Sequence, residues 1–274
     1  MMTPIEWWWK VLRLPVAVVA LGYLAVVVLA PFAAASMLYY PNYGSRRLVP
    51  GSIKIPGPNG SDIAVLHLPN PQARFTLWFF HGNAEDLGDL EPFLWALRDA
   101  GFAVFAHDYP GYGQSTGEPS EKAIYASSRV ARSFLRQTLN VPPERTILYG
   151  RSLGGGPAVQ MATEERTGGL VVQSTFVSAF RVVTRWRVLP FDPYQNLGKI
   201  SRVHCPLLVM HGQADEVIPF WHGEKLFAAG REPKRHLWVA TARHNDFVAA
   251  AGPDYWTALR EFSALCAQPA GASR

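Results

Sequence analysis

The stretch Thr146-Ile147-Leu148-Tyr149-Gly150-Arg151-Ser152-Leu153-Gly154-Gly155-Gly156 joins an apolar, strand-like run to a Gly-x-Ser-x-Gly turn and then to small residues. A serine between a strand end and a helix start can be held on a sharp, strained turn, provided the residues two before and two after it carry no side chain to collide. Gly150 and Gly154 meet that condition, and Ser152 then sits where unpaired helix N–H groups and the helix dipole favour a developing negative charge. Ser152 is therefore the candidate nucleophile, and the amide of Leu153 is the first candidate donor to an oxyanion. The same pentapeptide also occurs as an ordinary glycine-rich turn, so its context must decide.

The apolar run Phe75 to Phe80 reads as a strand covered on both faces, and it ends in His81-Gly82-Asn83-Ala84. A glycine just after a buried strand lets backbone approach a ligand, which makes the Asn83 amide a second candidate oxyanion donor; His81 reads as structural. The loop Asp108-Tyr109-Pro110-Gly111-Tyr112-Gly113 lacks the lysine and spacing of a phosphate loop, so it reads as packing with Asp108 in a supporting role. Further on, Pro206 to Met210 is a buried strand leading to Asp215, and Arg235 to Ala240 is a strand leading to His244. A carboxylate and an imidazole placed past strand ends reach the same rim as Ser152 in an open sheet. Asp215 is the candidate acid, with Asp192 and Glu216 as outside alternatives, and His244 is the candidate base.

The rest of the pattern is scaffold. Ile53 to Ile55 and Ile63 to Leu68 predict a hairpin around Pro58-Asn59-Gly60, Leu90 to Ala100 predicts a helix stopped by Gly101, and Ser120 opens a helix running to about Leu139. Strands alternating with helices predict an α/β fold with a mostly parallel central sheet and helices on both faces. The segment Phe176 to Lys199 carries aromatics among arginines and reads either as an acyl pocket or small lid, or as a helix packed on the sheet. It leaves no room for a large inserted cap.

Composition narrows the function classes. With 274 residues, 49% of them hydrophobic, the chain can bury one large core, and no interior linker divides it. The formal charge of +5 is spread over scattered arginines, which argues against nucleic acid as a partner. Cys205 and Cys266 have neither metal-ligand spacing nor scaffold density, so they read as free thiols, with a single disulfide as the alternative.

The amino terminus does not belong to the soluble pattern. No charged residue occurs from Leu14 through Ser45, and Leu14 to Ala35 is almost wholly apolar, long enough to cross a bilayer. Trp7, Trp8 and Trp9 beside Lys10 and Arg13 suit an interfacial anchor with its positive flank in the cytoplasm, which puts the rest of the chain on the non-cytoplasmic side; Arg46 and Arg47 count against that orientation. Ala33-Ala34-Ala35 before Ser36 also fits a cleaved signal peptide, which exports the domain equally. The expected organisation is an anchor or uncleaved signal over 1–37, a catalytic-type domain over 38–268 and a tail over 269–274.

Taken together, His-Gly-Asn-Ala at 81–84, Asp-Tyr-Pro-Gly-Tyr-Gly-x-Ser-x-Gly at 108–117, Tyr-Gly-Arg-Ser-Leu-Gly-Gly at 149–155, His-Gly-x-x-Asp-x-x-Ile-Pro at 211–219 and His244-Asn245-Asp246 make the chain resemble an α/β-hydrolase. The resemblance runs from about residue 38 to 266 and is greater to the Bem46-like, ABHD-type membrane-anchored serine hydrolases. It implies Ser152 as nucleophile, His244 as base and Asp215 as acid, with the amides of Asn83 and Leu153 as oxyanion hole. The order Ser152, Asp215, His244 is the one such hydrolases show. The implied activity is hydrolysis of a small-molecule or lipid-like acyl ester or thioester without metal or organic cofactor. A serine at the turn disfavours dehalogenase and epoxide-hydrolase chemistry, and His-Gly-Asn-Ala in place of a His-Gly-Gly-Gly type loop disfavours bulky or tertiary-alcohol esters. An aminopeptidase-like hydrolase and a non-catalytic, membrane-tethered binding protein remain as alternatives.

Overall fold

A computed structural model describes residues 4–268, with side chains described from 12 to 30 and from 38 onward. The proposed tail at 269–274 lies outside the described residues, as do the side chains of Trp7 to Lys10 and Ala33 to Ser36. The first element is helix α1 (Pro4–Leu38), whose stretch Leu12–Ala30 is long and apolar enough to cross a membrane and has no buried residue. At 1.5 Å per residue those 19 residues extend about 28 Å, close to a bilayer's hydrocarbon thickness of about 30 Å.

The chain then builds an eight-stranded sheet. Strands β1 (Ile53–Pro56), β2 (Asp62–Leu68), β3 (Thr76–Phe80), β4 (Ala103–His107), β5 (Thr146–Arg151), β6 (Gly169–Gln173), β7 (Leu207–Gly212) and β8 (Lys234–Val239) lie in the order β1-β2-β4-β3-β5-β6-β7-β8. The pairs β1–β2 and β2–β4 are antiparallel; every other pair is parallel. The helices between and after the strands are α2 (Leu87–Asp99), α3 (Glu121–Gln137), α4 (Gly155–Glu164), α5 (Arg181–Thr184), α6 (Asn196–Ile200), α7 (Trp221–Ala229), α8 (Phe247–Ala251) and α9 (Pro253–Cys266).

Alternation along β3 explains the two layers. Trp78 and Phe80 point into one apolar cluster with Ile124 and Leu135 of α3 and Ala158 of α4, whereas Leu77 and Phe79 point into another with Leu94 of α2 and Leu259 and Phe262 of α9. Both faces are therefore covered, as the continuous apolar run required. Each large side chain so buried stabilises the fold by about 1.5–3 kcal/mol, enough in sum to hold a strained turn costing about 1–3 kcal/mol.

Two details depart from the sequence pattern. Helix α2 starts at Leu87 rather than Leu90, because Asp86 caps it and Asp89 reaches back to the Asp86 amide; a box of two aspartates is easily missed when apolar spacing sets the boundary. The segment from Phe176 to Lys199 serves as cavity wall at one end and leads at the other into a short helix packed chiefly on α4 and α7 rather than on the sheet. Phe176, Ala179, Val182 and Val183 line a cavity, while α6 buries Asn196 and Ile200 in the fold. Cys205 and Cys266 are both free thiols.

Neighbouring β3 and β5 carry their following helices, α2 and α4, to opposite faces, so a crevice opens beyond their carboxyl ends. Five segments meet there, one each after β3, β5, β6, β7 and β8.

Candidate active site

The turn after β5 is strained at its serine. Ser152 has φ +53°, the left-handed region that side chains disfavour, and it opens a 3-10 turn (Ser152–Gly154) running into α4. Its flanking glycines are required by close approach. A Cβ on Gly150 would lie 2.5 Å from the Gly154 carbonyl oxygen, and one on Gly154 would lie 2.1 Å from the carbonyl oxygen of Phe80. Missing side chains thus let β5 and β3 grip the turn from both sides and present the Ser152 hydroxyl.

Three side chains predicted from the sequence come together at this rim. The Ser152 hydroxyl lies 3.0 Å from His244 Nε2, and His244 Nδ1 lies 2.9 Å from Asp215 Oδ2. The Asp215 carboxylate also accepts hydrogen bonds from the amides of Val217 at 3.0 Å and Ile218 at 2.7 Å. Burial alone would raise the Asp215 pKa, but hydrogen bonds from His211 and His244, the charge of His244 and the Ile218 amide outweigh it and hold the carboxyl well below the usual carboxylate range. An ionised Asp215 can only accept, so Nδ1 of a neutral His244 carries the proton and Nε2 is left to accept from Ser152.

The alternative acids are occupied elsewhere. Asp192 accepts from the Ser178 hydroxyl at 2.6 Å and the Phe180 amide at 2.8 Å, and Glu216 only meets the His244 amide at 3.5 Å. The structure brings Asp215, rather than either of these, to the imidazole.

Both candidate oxyanion donors border the same space. Leu153 follows Ser152 in the opening helical turn, where N–H groups have no intrahelical acceptor, and Gly82, just before Asn83, comes so close that a Cβ there would lie 3.5 Å from the Ser152 Cβ. The loop after β3 is pinned throughout. Tyr109 donates to the His81 carbonyl at 2.9 Å, the Gly82 amide donates to the Glu85 carboxylate, and Glu85 is paired with Arg151. His81 is buried, stacks on Tyr109 at 3.9 Å and has its pKa lowered by that burial, in keeping with a structural role. Asp108 is a buried hub, accepting from the amides of Leu87 and Gln114.

Sequence reasoning missed Glu85 and His211. Arg151 pairs with Glu85 and lies 5.6 Å from the ring centres of Phe79 and Phe93. His211 stands 3.4 Å from Asp215 and its Nε2 meets the Ile218 carbonyl at 2.8 Å. Its place four residues before Asp215, at the end of β7, was the available signal.

The cavity over Ser152 has a volume of about 620 Å³. Its wall is mainly apolar, with Leu38, Phe176, Val182, Ile218 and Phe247 among the lining residues, and its charged lining residues are Glu85 and Arg151. Among the described residues, no group of three or more His, Cys, Asp or Glu is arranged to hold a metal ion.

Comparison with known proteins agrees with this architecture. A family model described as serine aminopeptidase, S33, matches residues 71–191. The chain is 42% identical over 203 residues to the α/β hydrolase domain-containing protein aho-3 of Caenorhabditis elegans, and 39% identical over 180 residues to the human α/β hydrolase domain-containing protein 17B. These alignments take in 71% and 65% of this chain but only 59% and 62% of the respective relatives. Among solved structures, an esterase of Pyrococcus furiosus superposes with a TM-score of 0.68 at 16% identity, over 79% of this chain and 90% of that one. An esterase domain from Rhodothermus marinus gives 0.60 at 21% identity, over 77% and 98%. The ordered motifs, the sheet order and these likenesses agree, and the chain belongs to the α/β-hydrolase superfamily.

Proposed function

We propose that the protein is a serine hydrolase that cleaves acyl esters or thioesters through an acyl-enzyme. The observation that carries this reading is the continuous run Ser152–His244–Asp215, with spacings of 3.0 and 2.9 Å, on the wall of the cavity. His244 takes the Ser152 proton as Oγ attacks the carbonyl carbon, and Asp215 keeps the imidazole in the required tautomer and stabilises its charged form. The amides of Leu153 and Asn83 receive the oxyanion. His244 then returns the proton to the leaving alcohol or thiol, and water, deprotonated by the same imidazole, releases the acyl group and restores Ser152.

The apolar wall favours an acyl chain over a charged substrate. Leu38, the last residue of α1, lines the cavity, so the site lies next to the end of the membrane-length helix. This supports a lipid-like acyl substrate taken from a membrane surface. On this reading residues 1–37 anchor the chain, residues 38–268 form the catalytic domain, and the domain faces the non-cytoplasmic side. Cleavage of a signal between Ala35 and Ser36 would leave Leu38 in place and give an exported form of the same enzyme.

An aminopeptidase is the second reading, favoured by the description of the matching family model. A free amino terminus needs an unpaired carboxylate, and Glu85, the one carboxylate among the described lining residues, is taken up by Arg151 and the Gly82 amide. Ester hydrolysis is the better fit. The test is labelling with a fluorophosphonate and turnover of p-nitrophenyl esters beside aminoacyl-anilides. Wild type should be labelled and prefer esters, and Ser152→Ala should do neither; a folded wild type that neither labels nor turns over would leave a membrane-tethered binding protein.

A further inference from the structure

The residues just after α1 do more than link it to the domain. Leu38 to Arg47 runs across the loop after β3 and the start of α2, and four of its hydrogen bonds converge on Asn83 and Asp86. The Asn83 side-chain amide donates to the Leu38 carbonyl at 2.9 Å, while its oxygen accepts from the Tyr40 amide at 3.0 Å and the Tyr112 hydroxyl at 2.6 Å. The same oxygen takes the Ala84 amide at 3.2 Å, and Ala84 is itself in the left-handed region at φ +61°. Asp86 accepts from the Arg46 amide at 2.6 Å and the Ser45 hydroxyl at 3.1 Å, and a Cβ on Gly44 would lie 2.6 Å from its carboxylate.

We infer that the Asn83 side chain is a positioning group for the oxyanion hole, and that the strap after the membrane-length helix holds it in place. The inference rests on the hydrolase reading above. A backbone amide stabilises an oxyanion only when its N–H is already aimed at where the charge develops, because reorienting it during the reaction consumes the gain. The peptide that carries the Asn83 N–H is held on its Gly82 side by Glu85 and by His81, whose Nδ1 lies 2.7 Å from the Gly82 carbonyl, whereas on its other side it runs into a strained Ala84. Four hydrogen bonds to one side chain supply the missing constraint, and two of them come from the strap. The strap is continuous with α1, so the end of that helix becomes part of the active-site frame. Leu38 then serves twice, through its carbonyl to Asn83 and through its place in the cavity wall.

The test uses the full-length chain in detergent micelles with a short p-nitrophenyl ester. Asn83→Ala keeps the backbone amide and removes its support, whereas Tyr112→Phe removes one of the four hydrogen bonds. Binding of a trifluoromethyl ketone, which forms a tetrahedral oxyanion on Ser152, is compared with that of the matching methyl ether, which cannot. Removing one oxyanion donor outright costs about 10²–10³ in kcat, so misaiming it should cost about 10–100-fold in Asn83→Ala and a few-fold in Tyr112→Phe. KM should stay within about twofold, and trifluoromethyl ketone affinity should fall with kcat while that of the ether holds. If Asn83→Ala does not fold, Tyr112→Phe decides by the same comparison. Wild-type kcat and ketone affinity in the folded variants, or an equal loss for ketone and ether, overturns the positioning role. If Ser152→Ala keeps full turnover, it is the hydrolase reading that fails instead.

Discussion

Arg151 and Glu85 form an ion pair that ties the residue before the candidate nucleophile to the loop carrying Asn83. Each side chain is about one-fifth exposed, and the guanidinium also lies over Phe79 and Phe93. The pair therefore clamps two of the loops that meet at the cavity, and Glu85 uses its remaining capacity on the Gly82 amide.

Replacing Arg151 should loosen that clamp without touching the serine. Arg151→Met is expected to lose about 1–3 kcal/mol of stability, from a partly screened ion pair and its aromatic contacts. Turnover of a soluble ester should fall about tenfold, in the range of other misplacements in a catalytic frame. Arg151→Lys should recover part of the stability but less of the turnover, since an ammonium lacks the fork that fits Glu85. Unfolding midpoints with steady-state kinetics test this; an Arg151→Met variant as stable and active as wild type would deny the clamp any role.

Asp215 gives a pH-dependent expectation for both activity and stability. Its carboxyl is held below its ordinary pKa in the fold, so its stabilising contribution is complete above that ordinary value, near pH 4, and is lost as pH falls through the lower, folded value. Asp215→Asn should remove this acid limb, giving a melting temperature that falls less steeply than wild type below about pH 4. Its kcat should drop by about 10³–10⁴, as expected when an imidazole loses the acceptor that sets its tautomer. Thermal melts from pH 2.5 to 6 and kcat at neutral pH check the two parts separately.

What could be read from the sequence follows the range of the interactions. The glycines beside Ser152, the apolar run of β3 and the turns holding Asp215 and His244 express local backbone demands, so the sheet and the three side chains at the rim were legible. The clamp on Asn83 was not. Its partners Leu38, Tyr40 and Tyr112 lie 45, 43 and 29 residues away, and Glu85 lies 66 residues from Arg151. No local period records such pairs, because they exist only once the sheet has brought its loops to one edge. The segment after β6 resisted for another reason: its aromatics and arginines suit a cavity wall and a packed helix equally, and the structure makes one end of it cavity wall and leads the other into a short helix packed chiefly on α4 and α7.

Gly154 should be the least tolerant position of the serine turn. A methyl group there would overlap the carbonyl oxygen of Phe80, a strand atom that cannot swing aside. Gly154→Ala is expected to cost about 1–3 kcal/mol or more and to displace Ser152 from His244, abolishing fluorophosphonate labelling even in the folded fraction. By contrast, Gly198→Ala meets nothing within 4 Å and should label as wild type. Equal labelling of the two variants would show that the turn does not depend on this contact.

Asp108 should tilt stability in the opposite direction from Asp215. It is buried between the start of α2 and the Tyr109 to Gln114 loop, and burial pushes its pKa up to about 7 even though the Leu87 and Gln114 amides pull it down. A folded pKa above the unfolded one means that the contribution is complete below the unfolded value, near pH 4, and is lost as pH rises through about 7. Asp108→Asn stays neutral throughout, and its NH2 cannot accept where each oxygen of the protonated carboxyl can still take an N–H, so the variant should be less stable than wild type at pH 5. The gap should narrow toward pH 8, as wild type comes to carry a buried charge that the variant lacks. Urea unfolding of both proteins across that interval measures it, and a gap that widens with pH would mean that Asp108 is already ionised in the fold at pH 5.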